Sequence, residues 1–482
     1  MRLEWIKEPK LEFHAYQHED IRFGLMNYGP FDLGSPGAPR TIHLGMVGTH
    51  KTIDGARRWI QNCCSGIAAK PSPLTNLFVR FPGFDKDSCF HSQIVFEDRC
   101  LRSISTREIE KAVKTKDQST GIQNSVALFL EHIRFLSEEA NVDVIICAIP
   151  EPILDLRDMS EEVNTNEEEE IENSPRVSFN FHHMLKASAM QFRKPIQLII
   201  PATYGDKLRK KKTNHFSGPQ ALQDEATRAW NFFTALYYKA GGTPWRLPRP
   251  ASQLTSCYIG VNFYRTLDQK AVNTSIAQVF NELGDGIVVR GGQAQITKKD
   301  RQPHLSAEDS KKILQDGLNR YREEHKTFPA RVVLHKSSMF SEGEKQGFLE
   351  VLKNNQIAVF DLISIRRSST RLYRTGSYPP LRGMFLSLDE MNHVLYTRGS
   401  VYFYETYPGA YIPRPILFKR EVCDESPNNL AREILALTKM NWNSSQFDHS
   451  MPITIGAADQ VGDIIKYVEP HNEICPRYSY YM

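Results

Sequence analysis

Two stretches of the sequence bring together residue types that could do chemistry. The run KLRKKK at 207–212 comes just after an apolar segment and carries five cationic side chains. Such groups make charge-assisted hydrogen bonds to phosphate, so the run could contact a phosphate chain, although a basic run is more often a solvated surface. The second stretch, SCYIGVNFYRT at 256–266, places Asn262 inside a pattern that predicts a buried strand. An amide there is either a satisfied core side chain or part of a site.

Two other patterns resemble catalytic or metal sites but lack the required spacing. GMVGTHKT at 45–52 lies between a predicted strand and a predicted helix, but only two residues separate Gly45 from Gly48. A P-loop needs four residues between its glycines to wrap a phosphate chain. His182 and His183 are adjacent and point to different faces of a helix, so they cannot share a metal as an i, i+4 pair could. The spacing therefore argues against a P-loop NTPase and against a histidine metal site.

Length and composition describe a globular chain with a nearly neutral balance of charge. The 482 residues predict two or three domains, and because the net charge is only +4, a polyanion site must come from local clustering. The eight cysteines form no CxxC pair, as expected of reduced thiols. No apolar run approaches the ~18 residues of a membrane span, and the start lacks the pattern of a secretory signal. A cytoplasmic protein without membrane contact is expected.

The order of predicted elements favours an α/β fold in two parts. In the first part, the apolar runs VDVIICAIP (142–150) and PIQLIIP (195–201) alternate with helical patterns such as QDEATRAWNFFTALYYKAGG (223–242), which predicts a Rossmann-like unit. The acidic segment EEVNTNEEEEIE (161–172) is expected to be a surface loop. The proline-rich TPWRLPRPAS (243–252) marks a boundary. Beyond it, strands and helices alternate in the outline of an RNase H-like domain.

Six segments of the sequence carry a resemblance to a known family. They are PIQLIIPATYGDK, QDEATRAWNFFTALYYKAGGTPWRL, YIGVNFYR, VVLHKSS, LAREILALTKMNWNSSQFDHSMPITIGAADQVG and the aromatic YSYYM. In this order they resemble a prokaryotic Argonaute of the short kind, which has a MID and a PIWI domain without N and PAZ domains. The resemblance implies an N-terminal part associated with MID at 1–140, a MID core at 141–248 and a PIWI domain at 249–482.

The resemblance also bears on the amide in the central strand. In family members that cleave, one Asp stands at the position of Asn262, a second at that of Ser337, and an Asp or His at that of Asp459. The catalytic Glu of those members has no convincing counterpart around 284–297. Cleavage by two divalent cations needs bridging carboxylates, which make the closely spaced positive charges tolerable. Since Asn262 and Ser337 supply no charge, we predict an inactive site with no catalytic residue.

A pocket for the 5′ end of a guide strand is implied in the MID domain. The matching residues are Tyr204, which would stack on the first base, and Lys207, Lys211, Gln223 and Lys239, which would hold the phosphate. These donors suit the task because each charge-assisted hydrogen bond contributes roughly 1.5–3 kcal/mol. Tyr204 and Lys207 are three residues apart where the family has four. The terminal carboxylate of Met482 would hold a structural Mg²⁺ beside the phosphate.

The resemblance implies recognition without cleavage as the function. The expected partners are a small guide RNA and a complementary single-stranded DNA target, although the residues themselves do not distinguish RNA from DNA. Arg265, Lys336, Arg366 and Arg367 are candidates for backbone contacts. Short Argonautes of this kind pair with a protein that joins an APAZ region to a TIR, sirtuin-like or nuclease effector, in prokaryotic defence against plasmids and phage. An effector partner is therefore expected.

Two other functions stay open at this point. One is an active guide-dependent DNA or RNA endonuclease that uses Asp459 together with Glu282 or Asp285. The other is a generic nucleic-acid-binding protein or NTPase. A cleavage assay separates the first alternative from a binding protein, and ATP turnover tests the second.

Overall fold

The structure is a computed structural model that describes residues 1–161, 179–205, 223–249, 254–280, 286–296, 300–373, 379–409, 412–446, 449–469, 472 and 474–482. The acidic segment at 161–172 lies outside these residues except for Glu161. The chain divides into two compact units. The first consists of Met1–Leu33, Ser72–Leu77 and Thr243–Tyr481, and the second of Gly34–Pro71, Phe78–Gly242 and Met482. The predicted domain ranges 1–140, 141–248 and 249–482 stay predictions.

Strands and helices alternate along much of the described chain, as expected of an α/β fold. The strands are β1 (Arg2–Trp5), β2 (Leu11–Glu12), β3 (Gln17–His18), β4 (Thr41–Gly48), β5 (Gln93–Ser103), β6 (Val144–Ala148), β7 (Ile196–Ile199), β8 (Ser256–Arg265), β9 (Val272–Phe280), β10 (Val288–Gln293), β11 (Gln295–Ile296), β12 (Pro303–His304), β13 (Arg331–Lys336), β14 (Val359–Arg367), β15 (Met384–Ser387), β16 (Asn392–Leu395) and β17 (Ile416–Cys423). The helices are α1 (Ile21–Tyr28), α2 (His50–Cys64), α3 (Thr106–Val113), α4 (Gln118–Glu139), α5 (Glu151–Glu161), α6 (Phe181–Ala189), α7 (Glu225–Lys239), α8 (Ala307–His325), α9 (Glu342–Asn354), α10 (Pro427–Leu437) and α11 (Ile453–Ile465). Among the described residues, none of these helices is long and apolar enough to cross a membrane.

A nine-stranded sheet forms the framework of the first unit, with the order β1-β15-β16-β17-β14-β13-β8-β9-β10. β8, β9 and β10 are antiparallel neighbours, while β13 pairs in parallel with both β8 and β14. Numbered along the chain, these five strands have the order 3-2-1-4-5, which is the order of an RNase H-like domain. The RNase H-like prediction for the second half of the chain is therefore confirmed.

β8 is covered on both of its faces, and its residues alternate accordingly. Successive side chains of a strand point to opposite faces. Cys257, Ile259 and Val261 pack with apolar residues of α8 and α9 in one core. On the other face Gly260 lies against α11, where an added Cβ would come within 2.0 Å of the Thr454 carbonyl oxygen. The glycine therefore lets α11 lie directly on the strand.

The second unit contains a four-stranded parallel sheet with the order β5-β4-β6-β7. Every residue of β6 is buried, as expected of a parallel strand covered on both faces, and α4 and α6 contribute apolar side chains to the same core. Numbered along the chain the order is 2-1-3-4, which belongs to doubly wound, Rossmann-like sheets. This prediction is also confirmed, with β4 as an inner strand.

The junction of β4 and α2 shows what the glycine pattern at 45–52 does. Gly48 ends β4, where an added Cβ would lie 2.5 Å from the Ala148 carbonyl oxygen. Thr52 donates its hydroxyl to that carbonyl at 2.9 Å and forms a capping box with Thr49. Gly48 therefore lets β4 pack closely against β6, while Thr49 and Thr52 cap the N-terminus of α2. The role of this pattern is structural.

Candidate catalytic and guide-binding sites

Asn262, Ser337 and Asp459 come together near the carboxyl ends of two parallel strands in the first unit. The register of β13 and β8 places Lys336 opposite Val261. Ser337 therefore lies beside Asn262, and its backbone N–H donates to the Val261 carbonyl at 3.1 Å. α11 packs against β8 and β9 and brings Asp459 to the same point. The structure unites the three positions that the resemblance singled out.

Hydrogen bonds join the three side chains, with Asn262 in the middle. The Asn262 Nδ2 donates to Asp459 Oδ1 at 3.1 Å, and the Ser337 hydroxyl donates to Asn262 Oδ1 at 2.5 Å. Asn262 is only 9% exposed, and an unmatched polar group would be costly in that environment. Because both ends of the amide have partners, the geometry fits a satisfied core side chain.

The carboxyl group of Asp459 lies under opposing electrostatic influences. The side chain reaches solvent on its outer side, yet the protein around its inner side desolvates the carboxyl and raises its pKa, and Asp463 acts in the same direction. The hydrogen bond from Asn262 and the cations Arg367 and Lys466 act to lower the pKa. The net direction is upward, and contact with solvent keeps the effect modest.

The chemistry of this cluster does not fit a pair of catalytic divalent cations. Two such ions lie about 3.5–4 Å apart and need several carboxylates around them, whereas the cluster supplies one, from Asp459. Asn262 and Ser337 offer neutral oxygens that already take part in hydrogen bonds. Within the described residues no group of three or more His, Cys, Asp or Glu side chains is arranged to hold a metal ion. Glu282 and Asp285 lie outside the described residues.

Lys336, one residue before Ser337, points into the protein and is wholly buried. Its Nζ lies 3.0 Å from a Glu344 carboxylate oxygen and donates to the Ser338 hydroxyl at 2.7 Å. Burial lowers the pKa of Lys336, although Glu344 acts against that effect. Because the ammonium group is enclosed and paired, Lys336 is not available for the backbone contact that the sequence suggested.

In the second unit, Tyr204 follows the carboxyl end of β7. A short 3₁₀ turn, Pro201–Tyr204, leads to Gly205, whose φ of +90° lies in the region that favours glycine. The ring of Tyr204 packs against α2 at Gly55, where an added Cβ would lie 2.6 Å from a ring carbon. Ligands of parallel sheets bind outside the carboxyl ends of the strands. The position of Tyr204 therefore suits an aromatic platform for a base.

Gln223 is exposed just before α7. Its side-chain oxygen accepts a hydrogen bond from the Asn231 side chain at 3.1 Å. The N-terminus of α7 is already capped, because the Asp224 carboxylate accepts from the Thr227 N–H at 3.1 Å, and Glu225 occupies the first turn. These two carboxylates offset the attraction that a helix N-terminus exerts on an anion.

Arg228, which is not among the predicted site residues, joins α7 to the turn that carries Tyr204. Its Nη1 donates to the Ala202 carbonyl at 2.9 Å and also to the Thr203 carbonyl. The contact places the beginning of α7 beside the carboxyl end of β7. Sequence offered one signal for this residue, a cation near the start of the helix that follows β7.

Lys239 lies at the opposite end of α7. Its Nζ donates to the Ile196 carbonyl at 3.0 Å and to the Gln197 side chain, at the beginning of β7. Lys239 is buried, and burial lowers its pKa. The buried Lys186 acts in the same direction. α7 has 15 residues, so at about 1.5 Å per residue its ends are roughly 21 Å apart. The structure brings Tyr204 and Gln223 to one end of the helix and Lys239 to the other.

The predicted guide pocket also includes Lys207, Lys211 and Met482. Lys207 and Lys211 lie outside the described residues. Met482 is buried and grouped with the second unit, which also contains Tyr204. Its terminal carboxylate has the oxygen chemistry that Mg²⁺ prefers, but it supplies only part of an octahedral set of about six ligands, and phosphate and water would have to supply most of the others.

Comparison with known proteins bears on the fold. No protein-family model matches the chain, and no curated protein matches it in sequence. Solved structures match with 12–15% identity: the Argonaute of Clostridium butyricum bound to a guide DNA with a 5′ deoxycytidine and a 19-mer target DNA (TM-score 0.61, 15% identity, 99% of this chain and 54% of that chain), Drosophila Piwi (0.58, 12%, 99% and 56%) and A. aeolicus Argonaute (0.57, 15%, 99% and 54%).

The likeness covers nearly all of this chain, which spans little more than half the length of those structures. At 12–15% identity, this likeness concerns the arrangement of the elements. The order of strands in both units agrees with it, since one sheet is Rossmann-like and the other is RNase H-like. The chain therefore has an Argonaute-like α/β fold, with units of the MID and PIWI kind.

Proposed function

We propose that this chain uses a small guide RNA to recognise a complementary single-stranded DNA target and does not cut it. The Argonaute-like fold supports the guided mode, and the similar Clostridium butyricum Argonaute was bound to a guide and a target strand. In such recognition base pairing selects the target, while the protein contacts the backbones.

One observation carries the proposal that the target stays intact, namely the bridging position of Asn262. Its amide donates to Asp459 and accepts from Ser337, at the point where a cleaving site needs carboxylates that face metal ions. A neutral group with both ends satisfied has little affinity for a divalent cation. Asp459 alone cannot offset the charge of two cations.

The guide's 5′ end is assigned to the carboxyl end of β7 in the second unit. Tyr204 lies there against α2, with Gln223 exposed before α7, and the basic run that contains Lys207 and Lys211 follows Tyr204 in sequence. A Mg²⁺ ion bound there would neutralise phosphate charge. The buried terminal carboxylate of Met482 is the group of this chain that would hold it.

A guide binder that leaves its target intact needs a second protein to act on the recognition event. We assign this role to a partner that joins an APAZ region to a TIR, sirtuin-like or nuclease effector, in prokaryotic defence against plasmids and phage. The support is the sequence resemblance. Co-expression of the chain with the product of a neighbouring gene, followed by purification through a tag on the chain, tests the partnership, and failure of every neighbouring product to co-purify would contradict it.

A retention and cleavage assay tests the proposed function. The protein is loaded with a 5′-phosphorylated guide and mixed with end-labelled complementary single-stranded DNA in Mg²⁺ or Mn²⁺. We expect retention of the complementary strand, no product, and no retention when the guide is mismatched. A single cut at a fixed position would overturn the proposal and favour the endonuclease alternative. Equal retention of matched and mismatched strands would contradict guided recognition itself.

A further inference from the structure

The position of Lys239 raises a question about the guide pocket. Its ammonium group is buried at the beginning of β7, where it bonds the Ile196 carbonyl, while Tyr204 lies beyond the end of the same strand. Arg228, which bonds the turn that carries Tyr204, lies eleven residues before Lys239 on α7, roughly 17 Å along the helix, so a single phosphate next to Tyr204 is not expected to reach Lys239. The cation that serves the Tyr204 end must therefore come from elsewhere.

Among the described residues, Arg228 is a cationic side chain close to the turn that carries Tyr204. The guanidinium bonds two successive carbonyls, Ala202 and Thr203, through one nitrogen, Nη1. Its Nε is buried and has no acceptor within the part of the chain that the structure describes. Arg228 thus holds the turn in place and retains donor capacity beside it. A rigid guanidinium fork suits this double task better than the single ammonium of a lysine.

Tyr204 is held from a second side. Its ring rests on α2 at Gly55, where the missing Cβ leaves room for it, since a Cβ there would approach the ring to 2.6 Å. The backbone before Tyr204 is fixed by Arg228 and the ring by α2. With both restraints the aromatic plane has a fixed place at the carboxyl end of the sheet, where a base can stack without further ordering cost.

We propose that Arg228 is the positioning residue of the guide 5′-end site, that it acts by fixing the turn that carries Tyr204, and that Lys239 lies outside this site. The inference rests on the proposed function. In this assignment Lys239 supports the beginning of β7 through the Ile196 carbonyl and the Gln197 side chain.

A double-mutant cycle on guide binding tests the inference. The affinity for a 5′-phosphorylated guide and for its 5′-hydroxyl counterpart is measured for the wild type, Arg228→Gln, Tyr204→Ala and the double variant. Each single change is expected to weaken binding of the phosphorylated guide roughly fivefold or more, the effect of losing an aromatic stacking partner. Because Arg228 acts through Tyr204, the double variant should bind the 5′-phosphorylated guide with about the same affinity as the single variant that binds it less tightly. Arg228→Lys should fall between Arg228→Gln and the wild type.

Two further variants distinguish the inference from simpler effects. Arg134→Gln removes one exposed cation from α4 and controls for net charge, so its guide affinity should match the wild type. Lys239→Met should keep the preference for a 5′-phosphate. Unfolding curves identify variants that merely lose stability, and if Arg228→Gln does not fold, Arg228→Lys carries the cycle.

Additive effects in the cycle would overturn the positioning role, because they would show that Arg228 acts independently of Tyr204. Loss of the phosphate preference in Lys239→Met, with Arg228→Gln unaffected, would overturn the assignment of both residues. A wild-type protein that shows no preference for complementary targets would instead overturn the proposed function, and the inference with it. The target-retention assay is read separately from the guide-affinity cycle, so the two failures are distinguishable.

Discussion

At the scale of single residues, Asn262 shows how one atom changes what a cluster can do. Its Nδ2 donates to Asp459 at 3.1 Å. If an oxygen replaced this nitrogen, two carboxylate oxygens would face each other at the same distance, and like charges so close raise the pKa of one of the acids. The amide therefore keeps the cluster stable without a cation.

Asn262→Asp is expected to lower the free energy of unfolding by about 1–3 kcal/mol at pH 8 in the absence of divalent ions, because it turns a satisfied hydrogen bond into a repulsive contact. The acid whose pKa is raised in the folded state takes up a proton as the pH falls, so the loss should be smaller at pH 5. Millimolar Mn²⁺ should recover part of the lost stability. Thermal and urea unfolding with and without Mn²⁺ measure both effects.

The matched control for that variant exchanges the two side chains. Asn262→Asp combined with Asp459→Asn restores one carboxylate and one amide, so its stability should return close to that of the wild type and should not respond to Mn²⁺. If the single variant were as stable as the wild type at pH 8, the hydrogen bond between Asn262 and Asp459 would not be the contact that decides the behaviour of the cluster.

At the scale of elements, α11 is docked on the central strands through Thr454. Gly260 of β8 lies directly against the Thr454 carbonyl, so there is no room for a Cβ at this position. His335 of β13 lies opposite Gly260 in the parallel register, and its Nδ1 lies 2.8 Å from the Thr454 hydroxyl. One turn of the helix thus contacts two neighbouring strands, and the next turns carry Asp459. The candidate catalytic cluster depends on this docking.

Gly260→Ala is expected to destabilise the protein by about 3 kcal/mol, at the upper end of what overpacking costs, since the added methyl group meets a backbone carbonyl that cannot rotate away. Gly456→Ala is the matched control. Gly456 lies on α11, and a Cβ added there would meet nothing within 4 Å. That change should be neutral or stabilising by up to about 1 kcal/mol, as alanine favours helix. Urea unfolding of both variants measures the difference, and equal effects would contradict the proposed close contact.

His335 makes the same docking sensitive to pH. Burial, reinforced by Arg331, lowers its pKa to about 3, whereas the unfolded chain keeps a value near 6.5. Below about pH 6.5 the unfolded state takes up a proton that the folded state refuses, so stability is lost as the pH falls. Between pH 7 and pH 5 this effect of His335 lowers the free energy of unfolding by roughly 2 kcal/mol. His335→Gln should lose less stability than the wild type over this interval in parallel denaturation curves, and parallel losses would contradict the assignment.

Sequence patterns predicted these elements better than their spatial relations. The apolar runs around β6, β8 and β13 were recognisable because parallel strands covered on both faces are continuously apolar. Lys239 shows what the pattern left out. A helix that follows a strand of a parallel sheet runs back across it, so its last residue lies at the beginning of the strand. Applied to the sequence alone, that geometric rule would separate Lys239 from Tyr204.

Other features could not be read from local patterns at all. β1 pairs with β15, although more than 370 residues separate them, and periodicity carries no information about such distant partners. The inward direction of Lys336 depends on Glu344, a partner on α9. Arg228 is not predicted as a site residue, because a cation near the start of a helix is ordinary until its contacts are known. Contacts between distant segments decided each of these cases.

At the scale of the whole molecule, the N-terminal segment belongs to the unit that contains the nine-stranded sheet. Glu8 contacts Arg382 at 2.9 Å and Lys439 at 3.1 Å, and both cations are buried. Lys439 also donates to the carbonyls of Pro9 and Glu19 at 2.5 and 2.6 Å. Residues far apart in sequence thus share one buried ionic cluster, and a chain that lacked its first 33 residues would leave two cations enclosed without a counter-charge.

Glu8→Gln isolates that counter-charge. Removing one partner from a buried ionic cluster costs about 3–5 kcal/mol, so we expect a loss of about 3 kcal/mol in the free energy of unfolding near pH 7. Glu12→Gln is the comparison within the same segment, because both partners of the Glu12–Arg246 pair are about one quarter exposed and solvent screens their charges, so its loss should be smaller than that of Glu8→Gln. Urea unfolding of the two variants measures the contrast, and similar losses would contradict the role given to Glu8.

The pH dependence of the same variant gives the decisive comparison for the N-terminal segment. Burial acts to raise the pKa of Glu8, but Arg382 and Lys439 together outweigh it, so the pKa is lowered. An acid whose pKa is lower in the folded state contributes stability above the unfolded value of about 4.3, and the contribution is lost as the pH falls through the folded value. The difference between the wild type and Glu8→Gln should therefore be constant from pH 8 to about pH 5 and should shrink below about pH 4. A difference that persisted unchanged at pH 3 would show that lost packing, and not the carboxylate charge, joins the first residues to the sheet.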